Sequence, residues 1–153
     1  MPERIVIADA SCLIALLRID QLEVLHSLYQ EILITSIIWD EVGEVLPDWI
    51  AVEAVEDQQK VKLLELELDQ GEASAIALAL QMEDPLLIID EKKGRAVAKR
   101  LGLRVTGTLG IIVKAKERGY LSAAKPVLDR LMDEGFRMSD LLFKHILHHL
   151  GES

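Results

Sequence analysis

The sequence lacks the features that disulfide-bonded, membrane-spanning and secreted proteins require. Cys12 is the only cysteine among 153 residues, so no intrachain disulfide can form and a reducing compartment suits the chain. No apolar stretch reaches the roughly 18 to 20 residues of a membrane-spanning helix. The N-terminal residues show no small-residue cleavage pattern, so we expect no signal peptide. Together these absences predict a cytoplasmic protein with no membrane segment.

Aromatic residues are also scarce, at 4% of the chain. Trp39 and Trp49 could stack on nucleic-acid bases, but with so few aromatic residues we expect both to anchor the core.

Positive charge is in short supply overall but concentrated in one segment. The formal net charge is −9, which by itself would disfavour nucleic acid as a ligand. Residues 92–118, however, hold nine basic residues and one acid, a local charge of +8 that leaves −17 for the rest. A basic flank on an acidic body can still bind a phosphate backbone.

The apolar residues, half of the chain, fall into short strand-like runs separated by helical patterns. The length suits a single domain, residues 1–153. Alternating strands and helices predict right-handed crossovers and an α/β fold with a five-stranded parallel sheet. We expect strands at 4–8, 31–34, 50–55, 86–89 and 103–106. We expect helices at 11–28 (two, broken near Asp20), 36–46, 57–68, 71–83, 92–101, 108–118, 122–134 and 138–149.

Four acidic residues are placed where such a sheet builds a site. Asp9 directly follows the first predicted strand and Asp90 the fourth. If the fourth strand lies beside the first, both aspartates flank the point where strand order reverses, which is where open α/β sheets bind ligands. Glu41 and Glu72 lie in helices that begin near the same edge.

Carboxylates gathered at one place raise one another's pKa values. Mg²⁺ or Mn²⁺ relieves that conflict, because these hard ions prefer carboxylate oxygens. Such an ion could activate a water and stabilise the charge of an attack on a phosphodiester. Ser11 could hydrogen-bond a phosphate or a metal-bound water. Four basic residues could hold the phosphate backbone: Lys92, Lys93, Arg95 and Lys99.

Each of these residues also has a purely structural interpretation. Asp9 and Asp90 could simply cap the helices that follow them. Glu41 could be one charge on a solvated face, and Glu72 would be favoured near a helix N-terminus whatever its function. The basic run could be a solvated helix face.

Other motifs indicate less. His145, His148 and His149 share one side of the last predicted helix, but no cysteine accompanies them and a zinc site is not favoured. Gly107 and Gly110 fit a tight turn better than a phosphate-binding loop.

Four segments carry a resemblance to a known family: "IADASCLIAL", "LDQGEASAIALA", "LLIIDEKKGRAVAKRLGLRVTGTLGII" and "KAKERGYL". In order and spacing the chain resembles the PIN-domain superfamily of metal-dependent nucleases, which includes the VapC-type ribonuclease toxins. It looks closest to an uncharacterised prokaryotic group encoded beside small proteins regarded as antitoxins.

The resemblance implies a three-layer α/β/α sandwich with the acids at its centre. Asp9, Glu41, Glu72 and Asp90 take the positions of the family's acids, and Ser11 that of its hydroxyl residue. VapC-type toxins more often carry aspartate where this chain has Glu72, and their segment after the fourth acid is shorter and less basic.

The leading hypothesis is a Mg²⁺- or Mn²⁺-dependent endoribonuclease, the toxin of a toxin–antitoxin pair. Its partners would be RNA and a small antitoxin protein, and the resemblance suggests a homodimer. An alternative is a PIN-like module that binds nucleic acid or protein and does not cleave. A phosphotransfer domain is disfavoured, because the phosphatase type needs an acid at the position that Ser11 occupies.

Overall fold

A computed structural model describes residues 4–153; the residues before these, to which the signal-peptide prediction also refers, lie outside the described part. Five short strands form one parallel sheet in the order β3-β2-β1-β4-β5. The strands are β1 (Val6–Ala8), β2 (Ile32–Ile34), β3 (Ile50–Val52), β4 (Leu86–Ile88) and β5 (Arg104–Thr106).

Nine helices connect and follow these strands within the described residues. They are α1 (Ala10–Arg18), α2 (Glu23–Tyr29), α3 (Ser36–Val42), α4 (Gln58–Leu64), α5 (Gln70–Leu80), α6 (Lys92–Arg100), α7 (Thr108–Glu117), α8 (Lys125–Asp133) and α9 (Asp140–His149). Among these, no helix has both the length and the apolar character needed to cross a membrane.

The central strands are buried because helices cover both faces of the sheet. Every residue of β1 and β4 is buried, as expected for apolar strands inside a parallel sheet. Helix α5 packs against both of these strands and is buried from Gly71 to Ala79. The architecture is the predicted three-layer α/β/α sandwich.

The strands and helices occur in the predicted order, but several are shorter than predicted. The strand predicted for 50–55 ends at Val52, because its neighbour β2 ends at Ile34 and the chain there turns into the helix that begins at Ser36. The helix predicted for 36–46 ends at Val42, where Gly43 adopts a left-handed conformation (φ 66°) that terminates the helix.

The expectation for the tryptophans is wrong in one case. Trp39 lies on the outer side of α3 with 40% of its surface exposed. Trp49 is half-buried, and its ring stacks on the ring of His26 at a centroid distance of 5.0 Å.

The strand order places two predicted acids side by side. β1 lies next to β4, as predicted, so strand order reverses between them. Asp9 continues β1 by one residue, and its backbone N–H donates to the carbonyl of Ile88 at 2.9 Å. Asp90 follows β4 at the same edge. Both aspartates therefore stand at the reversal point, where this class of sheet binds ligands.

Candidate active site

An acidic cleft opens beside the carboxyl end of β1. Its volume is about 350 Å³. Three of the four acids predicted from the sequence line it, together with Ser11 and one of the predicted cations, Lys93. The lining residues are Asp9, Ser11, Glu41, Glu67, Leu68, Asp69, Glu72, Glu91 and Lys93.

Asp9 both caps a helix and faces the cleft. Its Oδ1 accepts a hydrogen bond of 2.9 Å from the backbone N–H of Ala10 at the start of α1, so the capping interpretation is correct. Only 5% of the residue is exposed. Burial, and then the negative charges of Asp69, Glu41 and Asp90, raise the pKa of Asp9 to about 6. Its charged form is therefore costly without a nearby cation.

Glu72 lies in the first turn of α5, as predicted, with 6% of its surface exposed. Burial, and then the negative charges of Asp69 and Asp9, raise the pKa of its carboxyl to about 7. Helix α6 approaches Glu72 closely: a Cβ added to Gly94 would lie 3.2 Å from Glu72 Oε2.

Glu41 reaches the cleft from the last turn of α3. Its carboxylate lies against Gly71 of α5, where a Cβ would collide with Oε1. The absence of a side chain at Gly71 thus lets the carboxylate approach the start of α5. Partial burial, followed by the charge of Asp69, raises the pKa of Glu41.

Glu67, Asp69 and Glu91 also line the cleft and were not predicted; of these, Asp69 is the one whose charge acts on the predicted acids. It caps α5, and its Oδ1 accepts a 2.8 Å hydrogen bond from the N–H of Glu72. Its charge contributes to the raised pKa values of Asp9, Glu41 and Glu72. The signal was present in the sequence, because an aspartate three residues before a glutamate is typical of a helix start.

Asp90 is held differently from the other acids. Its Oδ1 accepts a hydrogen bond of 2.7 Å from the backbone N–H of Thr108, and its Oδ2 accepts one of 2.6 Å from the Thr108 hydroxyl. It therefore caps the distant helix α7, whereas α6, the helix that follows it, is capped by Glu91. Asp90 does not line the cleft, yet it is close enough to raise the pKa of Asp9.

The four cations predicted to bind phosphate all lie on α6, but they line two different concavities. Lys93 lines the acidic cleft, whereas Lys92, Arg95 and Lys99 line a different concavity that also borders Asp90. The basic run is therefore not one patch.

The donor chemistry of the cleft fits a hard divalent cation. Its carboxylates include two buried groups whose charges are penalised by burial and by each other, a penalty that Mg²⁺ or Mn²⁺ would relieve. Within residues 4–153, no three acidic, histidine or cysteine side chains stand close enough to form a ready-made metal site. Binding would therefore require side-chain adjustment, most easily at Glu41, which is exposed.

The C-terminal histidines do not belong to this site. They lie on α9, and His149 Nε2 is 3.2 Å from Glu117 Oε2 on α7.

Comparison with known proteins agrees with the fold. A family model described as a PIN domain matches residues 5–152. No curated protein and no solved structure matches the chain significantly. PIN domains have a nuclease-like fold, are generally nucleases and typically use divalent metals. Since the match spans almost the whole chain, the protein belongs to the PIN domain family.

Proposed function

We propose that the protein is a Mg²⁺- or Mn²⁺-dependent endoribonuclease. One observation carries this proposal: in a PIN domain, the buried carboxyls of Asp9 and Glu72 share a cleft with Glu41 and Asp69. Such a set of like charges is costly to bury without a cation. A cleft built this way favours a divalent ion over a neutral ligand.

The cleft supplies distinct groups to the proposed reaction. Asp9, Glu41 and Glu72 would hold the ion together with Asp69. Asp90, at the end of the adjoining strand β4, would add its negative charge to the site. When bound, the ion would activate water and offset the charge that develops on the attacked phosphate. Lys93 offers a cation for a phosphate oxygen on the same cleft wall. The exposed Ser11 offers a hydroxyl donor beside Asp9.

We further propose that the enzyme is the toxin of a toxin–antitoxin pair, acts in the cytoplasm, forms a homodimer and is blocked by a small antitoxin protein. The sequence segments that resemble the PIN-like group encoded beside antitoxins support this part of the proposal.

A second candidate function is a PIN-like module that binds nucleic acid or protein without cleaving it. Two observations favour it. Within residues 4–153 the acids do not converge into a ready-made metal site, and both oxygens of Asp90 are already engaged by Thr108.

Cleavage of RNA by the purified protein separates the two candidates. A fluorescent single-stranded RNA is incubated with wild-type protein in Mg²⁺, Mn²⁺ or EDTA, and the products are resolved on gels. We expect cleavage in Mn²⁺ or Mg²⁺ but not in EDTA, and loss of cleavage in Asp9→Asn. Glu83→Gln is the matched control, because it removes the same charge from an exposed position outside the cleft.

Tight RNA binding without metal-dependent cleavage would overturn the nuclease proposal in favour of the binding module. Cleavage that persists equally in Asp9→Asn would show that a contaminating nuclease is responsible, and would also overturn it.

A further inference from the structure

A second concavity borders Asp90 and, among the described residues, shares no lining residue with the acidic cleft. It has a volume of about 790 Å³ and lies between α6, β5, the first half of α7 and α9. We call it the basic groove. Its lining combines cationic and apolar side chains, among them Lys92, Arg95, Lys99, Phe136, Arg137 and Leu142.

Among the described residues, the cations of the basic groove form no salt bridges. Within residues 4–153, Lys92, Arg95 and Lys99 have no carboxylate oxygen within 4.0 Å. By contrast, the neighbouring Arg100 points elsewhere and pairs with Glu67 at 3.6 Å. In a chain of net charge −9, a row of cations with no salt-bridge partner among residues 4–153 favours an anionic ligand.

These three cations form a regular row. Lys92, Arg95 and Lys99 are three and four residues apart on α6, so they share one side of that helix. At 1.5 Å per residue the row spans about 10 Å. A row of this kind matches a linear polyanion better than a single small anion.

Arg95 is the member of the row of cations that lies close to Asp90. It is half-buried, and its Nη1 donates a long hydrogen bond of 3.4 Å to the carbonyl of Ile89. A Cβ added to Gly107 would lie 2.7 Å from both Arg95 Nη1 and Asp90 Oδ1. Gly107 therefore leaves room for a guanidinium and a carboxylate to stand close together. This is where the basic groove meets the strand end that carries Asp90.

The apolar part of the basic groove indicates what else the polyanion must carry. Leu109 and Val113 of α7 line it, together with Phe136 and with Ile146 and Leu142 of α9. Leu142 is 40% exposed. A phosphate backbone makes no favourable contact with an apolar surface, whereas unpaired bases stack on aromatic and apolar side chains. A duplex keeps its bases inside.

We infer that the basic groove binds single-stranded RNA, with phosphates on the row of cations and bases on the apolar side chains around Phe136. The choice of RNA as the polyanion rests on the proposed nuclease function. An acidic amphipathic peptide shares part of this chemistry. RNA is favoured because the groove runs directly to Asp90 and Arg95, where a strand would pass from the groove toward the acids.

Binding measured in EDTA tests the groove without requiring cleavage. Fluorescence anisotropy follows a labelled 10-nucleotide single-stranded RNA and the same sequence as a duplex. The double variant Lys92→Ala/Lys99→Ala is compared with Lys62→Ala/Arg130→Ala, which removes the same charge from exposed positions outside the groove. We expect the groove variant to bind the single strand at least about tenfold more weakly than wild type, and the control to bind within about twofold.

The salt dependence provides a second readout. Each lost contact with a single-strand phosphate lowers the slope of log affinity against log salt by about 0.7. We therefore expect the slope of the groove variant to be shallower by about 1.4, and that of the control to be unchanged.

The apolar contribution is tested by Phe136→Leu, which removes the ring but keeps most of the apolar volume. We expect about fivefold or greater loss of affinity for the single strand and little change for the duplex. If this variant does not fold, Leu142→Ala gives the same readout from a more exposed side chain.

Equal RNA affinity in groove and control variants would overturn the inference. So would groove-dependent binding of a labelled acidic amphipathic peptide by a protein that does not bind the RNA; the groove would then be a protein-docking site. Metal-dependent cleavage with groove-independent RNA binding would refute the groove inference alone. Groove-dependent binding without cleavage in any metal would refute the nuclease proposal alone.

Discussion

The acidic cleft and the basic groove lie at the same edge of the sheet and have opposite electrostatic needs. In the cleft, Asp9 and Glu72 are buried among other acids, and burial and the neighbouring negative charges raise their pKa values. In the groove, Lys92 and Lys99 stand without acidic partners among the described residues. Asp90 lies where the two regions meet.

This difference fits ligands of opposite charge in the two regions, as the proposed function requires. A divalent cation would complete the cleft, and a polyanion would complete the groove. A metal-dependent nuclease bound to a nucleic-acid strand brings both ligands at once. Neither region alone would indicate this combination.

The largest expected effect comes from removing one charge from the cleft. Glu72→Gln should lower metal-dependent RNA cleavage by at least about 100-fold, because it removes a carboxylate proposed to hold the ion. RNA affinity in EDTA should stay near that of wild type, since the groove is intact. Initial cleavage rates and anisotropy measure the two effects. Unchanged cleavage would place the reaction outside the cleft.

The same cleft should be a source of instability at neutral pH. The folded-state pKa of Asp9 is about 6, above its ordinary value of 3.8, so folding favours the protonated form. The loss of folding stability caused by the charged Asp9 side chain is absent below pH 4, grows between pH 4 and 6, and is complete above pH 6. Asp9→Asn, which can still cap α1, should therefore stabilise the metal-free protein at pH 7.5 by about 1 to 3 kcal/mol.

Urea denaturation in EDTA measures this gain at pH 7.5 and again near pH 4, where it should vanish. A destabilised variant at pH 7.5, or the same gain at both pH values, would show that the Asp9 charge is not penalised in the fold.

Asp90, where the two regions meet, is held by Thr108, whose buried hydroxyl donates to it. Thr108→Val removes this donor and leaves the backbone donor in place. We expect a loss of about 1 to 2 kcal/mol in the free energy of unfolding. Thr108→Ser keeps the hydroxyl and is the control. Unchanged stability of Thr108→Val would show that the hydroxyl bond to Asp90 does not stabilise the fold.

The smallest effect should come from a cation that the protein already neutralises. Arg100 and Glu67 form an exposed ion pair at 3.6 Å, and such pairs contribute little. Arg100→Ala should change the free energy of unfolding by less than about 0.5 kcal/mol, and RNA affinity by less than about twofold. A loss of RNA affinity as large as that of Lys92→Ala/Lys99→Ala would remove the distinction between groove cations and paired cations.

The sequence predicts the fold and much of the cleft because both depend on strand ends. Apolar runs and helix starts are local signals, and a parallel sheet brings its carboxyl ends together. These local signals therefore predict that Asp9, Glu41 and Glu72 lie near one another. The helix-start pattern at Asp69 predicts a capping residue and does not by itself indicate that the side chain lines the cleft.

The rest depended on three-dimensional packing. The partner of Asp90 is Thr108, 18 residues further along, and only the folded sheet brings α7 to it. Lys92 and Lys93 are neighbours in sequence, yet they serve different regions because successive helix residues point about 100° apart. Helical register assigned from sequence is too uncertain to separate them.

Calorimetric titration with Mn²⁺ tests most directly whether the cleft is a cation site. Metal-free wild type, Asp9→Asn and the charge-matched control Glu83→Gln are titrated under identical conditions at pH 7.5. We expect saturable binding to wild type and to Glu83→Gln, and at least about tenfold weaker binding to Asp9→Asn, a loss of about 1.4 kcal/mol. Absence of binding to the wild type at millimolar Mn²⁺, with RNA present, would contradict the proposed metal site.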